Sequence, residues 1–402
     1  MSKFTPSQIY DLVNDVTKQS LGMDAINVTD TSGLVSLGKE LATDARALDM
    51  WFGKLWAKVG DTYVRSHAFD VPSRSVRRRV HDFGLYVEKI SFGIADMKSN
   101  PQYDGISGTS DPFNAESTVP VHVKIFKAMA TYRTKEPVPT SQLMTAFTDA
   151  YKMGAFISGL YTAIENAHTL ASADCDNLAV NTNIAVVLNG NNPTQKRNLL
   201  AEYNALNPTA SIATPKDALT NADFLRWSGK EISQTIKYMG NPTSAFNATD
   251  MESDNKNKIV RQTKRDELVV EMLADFAKSY TTYLQSGVFN KELVNLPNYE
   301  EVVAWQGTKT SQSGSKQFDF DNVSSIAVSN SEISETEIEQ SGVVCFVHDI
   351  ESCASTTEVT SDYTLYDPDQ DRQIVYKRHT SGYAVDPTEN AVVFYLAVES
   401  EE

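Results

Sequence analysis

The sequence contains no run of about 18 apolar residues, and its opening stretch, MSKFTPSQIYDLVNDV, lacks the basic-then-apolar layout of a secretory signal. Neither a membrane-spanning helix nor signal-directed export is expected, so a cytosol-like site of synthesis is. Cysteine is scarce: Cys175, Cys345 and Cys353 form no CxxC and no Cys/His grouping, which signals neither a disulfide framework nor a zinc site. Cys345 and Cys353 are expected as small core residues. The six histidines (His67, His81, His122, His168, His348 and His379) make no HExxH or HxH spacing. GxSxG, GxxxxGK[ST] and GxGxxG motifs are missing as well. Asp367, Asp369 and Asp371 imitate the first ligands of a calcium loop, but Arg372 and Arg378 stand where its glycine and closing glutamate belong, so a hairpin turn is expected. No cofactor and no metal are called for. An enzymatic role becomes the weaker alternative, a cytosolic α/β enzyme built on residues 189–342.

Positive charge is missing from one end. Residues 319–402 hold 18 Asp and Glu against 3 Lys and Arg, so nearly all of the formal charge of -16 lies there. Phosphate neutralisation needs clustered Lys and Arg, and an acidic surface repels nucleic acid, so nucleic-acid binding by phosphate neutralisation is not expected.

What is present is enough for a folded protein: 402 residues, 41% hydrophobic, sufficient for one large or two to three ordinary domains. Pro6 suits a first helical position, Thr5 and Gln8 form a capping box, and Ile9, Leu12, Val13 and Val16 make one narrow apolar stripe before Gly22. That stripe suits an arm laid over a partner, and Ile9, Leu12 and Val16 are contact candidates. After the polar stretch NVTDTSG, a second helix is expected around Leu48, Trp51, Phe52, Leu55, Trp56 and Val59, its tryptophans anchored in a core.

Residues 83–95 (FGLYVEKISFGIA) read as a strand, 97–117 (MKSNPQYDGISGTSDPFNAES) as a loop tip, and Val119, Val121, Val123 and Ile125 alternate with polar residues as a returning strand. An isolated two-stranded hairpin is marginal in water, so this one needs a support outside itself, most simply a neighbouring copy. Tyr86, Tyr103 and Phe113 are its apolar contact candidates. At its base Arg74, Arg77, Arg78 and Arg79 form the one dense basic run. It is either a solvated turn or a contact to acidic surface on a neighbour, with residues 319–402 the obvious acceptor. No aromatic platform accompanies it for nucleic acid.

From Thr140 or Ser141 a long helix is expected to about Val180, with a break near Gly154. Ala155, Gly159, Ala163, Ala167 and Ala171 recur every four residues beside a ridge of Phe156, Leu160, Ile164 and His168. Glycine inside a helix costs roughly 1 kcal/mol against alanine, which suggests close approach of another backbone. His168 reads as an interface histidine. Residues 189–342 mix helices (218–238, 273–284) with strands (267–272, 301–305), and strands return at 343–348, 364–366, 373–377 and 391–398. The near-continuous apolar character of the first and last of these fits central strands.

This order of elements resembles the major capsid proteins of tailed bacteriophages, the Hong Kong 97-type shell fold, and most of all those of small short-tailed phages. The likeness is carried by LDMWFGKLWAKVGDTYV leading to NPQYD, by QLMTAFTDAYKMGAFISGLYTAIENA, and by DYTLYDPDQDRQIVYKRHTSGYAV. It implies an α+β fold with an N-terminal arm (1–62), an extended hairpin loop over an adjacent subunit (63–134) and a spine helix of a peripheral domain (135–188). An axial domain (189–342) and C-terminal peripheral strands (343–402) complete it. It also implies a structural protein of the virion, made in a host bacterium, whose partners are its own copies in pentamers and hexamers. Portal, scaffolding or decoration proteins and packaged DNA would be further partners. An encapsulin-like nanocompartment shell has a similar fold and is the nearer alternative. The helix at Pro6 leaves no obvious N-terminal scaffolding segment, and no lysine–asparagine cross-linking pair can be placed.

Overall fold

The computed structural model describes residues 6–22, 27–63, 76–81, 87–92, 121–126, 129–247, 260–285, 299–303, 305, 326–330 and 334–398. Helix α1 (Pro6–Leu21) ends at Gly22, whose φ of 64° is the left-handed conformation of a helix stop and whose N–H donates to the Lys18 carbonyl at 3.2 Å. Its stripe lies inside this chain. Ile9, Val13 and Val16 are fully buried, and Leu12 packs against the same core. The expectation that Ile9, Leu12 and Val16 lie on a neighbour is corrected, because the chain supplies its own cover. Part of that cover is a helix hidden in the polar-looking TDTSG. Asp30, in extended conformation, accepts from the Gly33 N–H at 2.7 Å and caps α2 (Thr31–Thr43), whose Leu34, Leu37 and Leu41 are buried. Charge on Asp30 is favoured by the Gly33 N–H and the Ser32 hydroxyl, which lower its pKa. Helix α3 (Ala45–Tyr63) follows as expected, with Trp51 and Phe52 buried.

Four strands come next: β1 (Arg77–His81), β2 (Val87–Phe92), β3 (Val121–Phe126) and β4 (Met129–Pro139). β2 and β3 pair antiparallel from Val87–Phe126 to Phe92–Val121 as a two-stranded sheet of their own. That is the stem of the expected hairpin, and its tip, 97–117, lies outside the described residues. β1 and the first half of β4, which fall within the range assigned to the hairpin, belong instead to a four-stranded sheet.

The long helix is broken, but not at Gly154. α4 (Thr140–Ala146) gives way at 147–149, where Asp149 is extended, and α5 (Ala150–Asn189) runs for 40 residues. The break drops Phe147 into the first core with its ring 5.0 Å from that of Trp51, whereas Gly154 lies buried within continuous helix. At about 1.5 Å per residue α5 spans roughly 60 Å. Met153, Ile157, Tyr161 and Ile164 on its first part lie in the core built by α1–α3, while Ala179, Val180, Ile184 and Val187 near its end lie in a second core. One rigid element therefore joins two hydrophobic centres.

The second core is built from β5 (Lys196–Asn198), α6 (Leu199–Leu206), α7 (Pro215–Ala218), α8 (Ala222–Met239), β6 (Leu268–Leu273), α9 (Ala274–Gln285) and β7 (Tyr299–Val302). A short ribbon of β8 (Ile326–Asn330) and β9 (Ser334–Gln340) precedes β10 (Val343–Asp349), β11 (Cys353–Asp367), β12 (Arg372–Val385) and β13 (Ala391–Tyr395). The larger sheet has the order β5-β13-β10-β6-β7, and β10, buried along its length, runs through its middle. The other has the order β1-β11-β12-β4. The boundary expected at Gly342 therefore does not separate the sheets. β10 and β13 complete the sheet of residues 196–302, and only β11 and β12 join β4 over the first part of α5. After α5 has carried it from β4 to β5, the chain crosses between the sheets twice more, at 350–352 and at 386–390. The Asp367–Arg372 turn is the expected hairpin turn, with Asp371 at φ 43° and Arg372 Nε 2.9 Å from Asp367 Oδ2. Lys377 of β12 and Glu165 of α5 form a mostly buried ion pair that fixes helix to sheet.

Candidate assembly surfaces

The arginine run is a strand rather than a turn. β1 pairs parallel with β11, Arg77 opposite Ala354 through His81 opposite Glu358, at the edge of its sheet. Val76, just before it, is buried in the second core and anchors it. A strand edge dense in charge resists adventitious pairing. Arg74, Tyr86, Tyr103 and Phe113 lie outside the described residues.

Among the described residues, a lysine ties the hairpin stem to the body. Lys89 of β2 places Nζ 2.8 Å from Asp386 Oδ2, 2.9 Å from Glu389 Oε1 and 3.4 Å from the Glu351 carbonyl oxygen. Burial of the ammonium opposes its charge, yet the two carboxylates outweigh that and hold its pKa above the ordinary lysine value. Glu389 is shared with Arg261, whose Nε lies 3.4 Å from the same Oε1. Asp386 is held in a tight turn by the Thr388 N–H and hydroxyl, at 3.0 and 2.7 Å from its Oδ1. The sequence offered no sign of this cluster, because its members are about 300 residues apart along the chain.

A further surface escaped sequence reasoning. Across β4, β12 and β11 the register sets Pro137, Ile374 and Leu365 in one row, Lys135, Tyr376 and Tyr363 in the next, and Arg133 beside Arg378 in a third. This face points away from α5: Arg133, Lys135, Arg378, Tyr363 and Leu365 are exposed, whereas Val375 and Val138, at alternate positions, are buried against the helices. Tyr363 stacks on Tyr376 at 4.7 Å, and Arg133 and Lys135 sit 5.8 and 5.9 Å from the Tyr376 ring centroid. Among the described residues no carboxylate pairs with these three cations. The period-two alternation in TYRTKEPVP was the available signal.

The ridge of small residues on α5 is the helix's open side. Ala155, Gly159, Ala163 and Ala167 are exposed, flanked by exposed Tyr151, Leu170 and Leu178, and a Cβ on Gly159 would meet nothing within 4 Å. The close approach that a helix glycine suggested is therefore not made at Gly159 among the described residues, whereas Gly154 is buried.

The three cysteines are buried and none forms a disulfide, and burial, with Glu271 nearby, pushes the Cys345 thiol up. Tyr280 is pushed up to about 12 by burial and by Cys345. Among the described residues no cluster of His, Cys, Asp and Glu could hold a metal, and no helix is long and apolar enough to cross a membrane.

This arrangement has known counterparts. The capsid structure of Staphylococcus phage Andhra contains a chain with a TM-score of 0.52 at 10% identity, covering 83% of this chain and 87% of that one. A chain in the structure of the head fiber and inner core protein of native bacteriophage P68 gives 0.51 at 11% identity, covering 83% and 88%. At such identities the likeness shows a shared fold. No curated protein matches the sequence. The family described as Phi29-like phage major capsid protein matches residues 12–395, nearly the full length, and the chain belongs to that family.

Proposed function

We propose that this major capsid protein closes into an icosahedral shell around packaged double-stranded DNA, with copies grouped as pentamers and hexamers. The β2–β3 stem carries this reading: a two-stranded ribbon outside both sheets has no core of its own and gains one by lying on the next copy. The unit around the five-stranded sheet is the axial domain of this reading. The first part of α5 with β4, β11 and β12 is the peripheral one, and 63–134 supplies the extended loop. Tyr86, Tyr103 and Phe113 contribute apolar contacts. Arg74, Arg77, Arg78 and Arg79, together with the basic face of Arg133, Lys135 and Arg378, meet acidic surface of neighbouring copies. Contacts that are modest singly add through multivalency.

The role is structural and non-catalytic, the shell is part of the virion, and synthesis is in the host bacterial cytoplasm. Portal, scaffolding and decoration proteins are the further partners, and the genome is held without sequence-specific contact. The test is particle formation. The protein, expressed with and without a scaffolding partner, is sized by light scattering and imaged by negative stain. Closed shells of defined diameter that take up DNA support the reading. A stable monomer under every condition overturns it, and shells that take up an enzyme cargo instead of DNA would make it a nanocompartment.

A further inference from the structure

Among the described residues the β2–β3 ribbon pairs with no other strand, so no backbone ladder there sets its direction. Lys89, among those residues, is what ties it to the body. Its ammonium reaches both short crossovers between the two sheets in the C-terminal part: the carbonyl of Glu351 in the β10–β11 crossover, and the carboxylates of Asp386 and Glu389 in the β12–β13 crossover. The acceptors are themselves fixed. The Asp386 N–H donates to the Ser352 carbonyl at 2.8 Å, joining the two crossovers, and Asp349, at the head of the first, donates its N–H to the Asn390 carbonyl at 2.9 Å. The carboxylates are almost fully buried and Lys89 is about one-fifth exposed, so the pair is screened by salt much less than a surface bridge. Its neighbours Glu88 and Ile90 are exposed. One side chain therefore refers the ribbon to the junction of both sheets.

We propose that Lys89 is a positioning residue: it fixes the angle at which the hairpin leaves the body, and through that angle the curvature at which successive copies meet. The second half rests on the shell reading above, whereas the first half does not. A ribbon free to swing would present its distal contacts over a range of angles, and a closed shell of one size needs a narrow range.

The experiment compares Lys89→Met, Lys89→Arg and the exposed control Glu88→Gln. Lys89→Met leaves two buried carboxylates without their lysine, so the neutral triple variant Lys89→Met/Asp386→Asn/Glu389→Gln is carried beside it. Hydrogen exchange on unassembled subunits reads the latch, and particle diameters by electron microscopy read its consequence. Lys89→Met and the triple variant are expected to speed exchange at Val87–Phe92 by about tenfold or more, with the five-stranded sheet unchanged. Their particles are expected to be heterogeneous in diameter or left open, with Lys89→Arg and Glu88→Gln close to wild type. Unchanged exchange in the triple variant overturns the latch. Faster exchange with particles of wild-type diameter overturns its role in curvature. A wild-type protein that forms no particles would defeat the shell reading, while the exchange arm still decides the latch.

Discussion

The indole N–H of Trp51 donates to the hydroxyl oxygen of Thr17 at 3.0 Å, and both residues are buried. This bond stitches α1 to α3, and Thr17 in turn donates to the Val13 carbonyl at 2.7 Å. The N-terminal helix is thus part of a core and not a detachable arm. Thr17→Val keeps the shape but leaves the indole N–H buried without an acceptor, a cost of about 1–3 kcal/mol. Chemical denaturation of unassembled subunits should show a loss of that size. A variant as stable as wild type would mean that α1 is not held in this way.

Two glycines should respond in opposite directions. Gly342 has φ 77°, and a Cβ there would stand 1.9 Å from the backbone oxygen of Leu396, with no flexible atom to yield. Gly342→Ala should cost roughly 4 kcal/mol or more and deplete soluble protein. Gly159 lies on the open side of α5, so Gly159→Ala should stabilise the subunit by up to about 1 kcal/mol. Denaturation midpoints check both. If Gly159→Ala is neutral in the subunit yet slows particle formation, the ridge is in contact with a neighbouring copy in the shell.

Acid should reveal Asp349. Burial pushes its carboxyl above the ordinary aspartate value, with Glu389 and Glu267 adding to the effect. A raised carboxyl binds its proton in the folded state before it does so unfolded, so its ionised form costs stability at neutral pH. That cost is relieved as pH falls through the raised value toward the ordinary value of 3.8. Asp349→Asn keeps an oxygen for the Glu351 N–H, now 2.9 Å from Asp349 Oδ1. The variant should therefore be the more stable protein at pH 7, and its advantage should shrink toward pH 4. Melting curves across that range decide it; a difference that is constant with pH would show that Asp349 does not titrate in the fold.

Local rules made much of this fold readable. α1, α3, β2, β3, β6, α8, α9, β10 and β13 follow from period, caps and stops, and the Asp367–Arg372 turn from its aspartates with arginine where a calcium loop needs glycine and glutamate. What stayed hidden was set by distant partners. Asp30 looks like part of a polar loop until Leu34, Leu37 and Leu41 meet α1 and α3. Arg77–Arg79 look like a solvated turn until β11, about 280 residues later, offers them a ladder. The division of β10–β13 between two sheets depends on which strand each finds, and periodicity carries no pairing information. Lys89 and its carboxylates are likewise joined only by the fold.

The basic face of β4 and β12 offers the cleanest separation of folding from assembly. Arg133, Lys135 and Arg378 are exposed, and among the described residues Arg133 and Lys135 flank the Tyr376 ring while no carboxylate pairs with any of the three, so reversing all three to glutamate removes two cation–π contacts of about 0.5–1 kcal/mol each and little else. The subunit should keep its fold, with a melting temperature within a few degrees of wild type. In a protein of formal charge -16 the reversal also replaces attraction to a neighbour's acidic surface with repulsion, which acts on encounter rate and register before it acts on affinity. Particle formation followed by light scattering should therefore slow markedly at low ionic strength and recover in part as salt screens the repulsion. Single reversals should each produce a smaller delay. Wild-type assembly kinetics in the triple variant at low salt would remove this face from the set of contacts between copies, leaving the β1 arginines as the remaining basic partner.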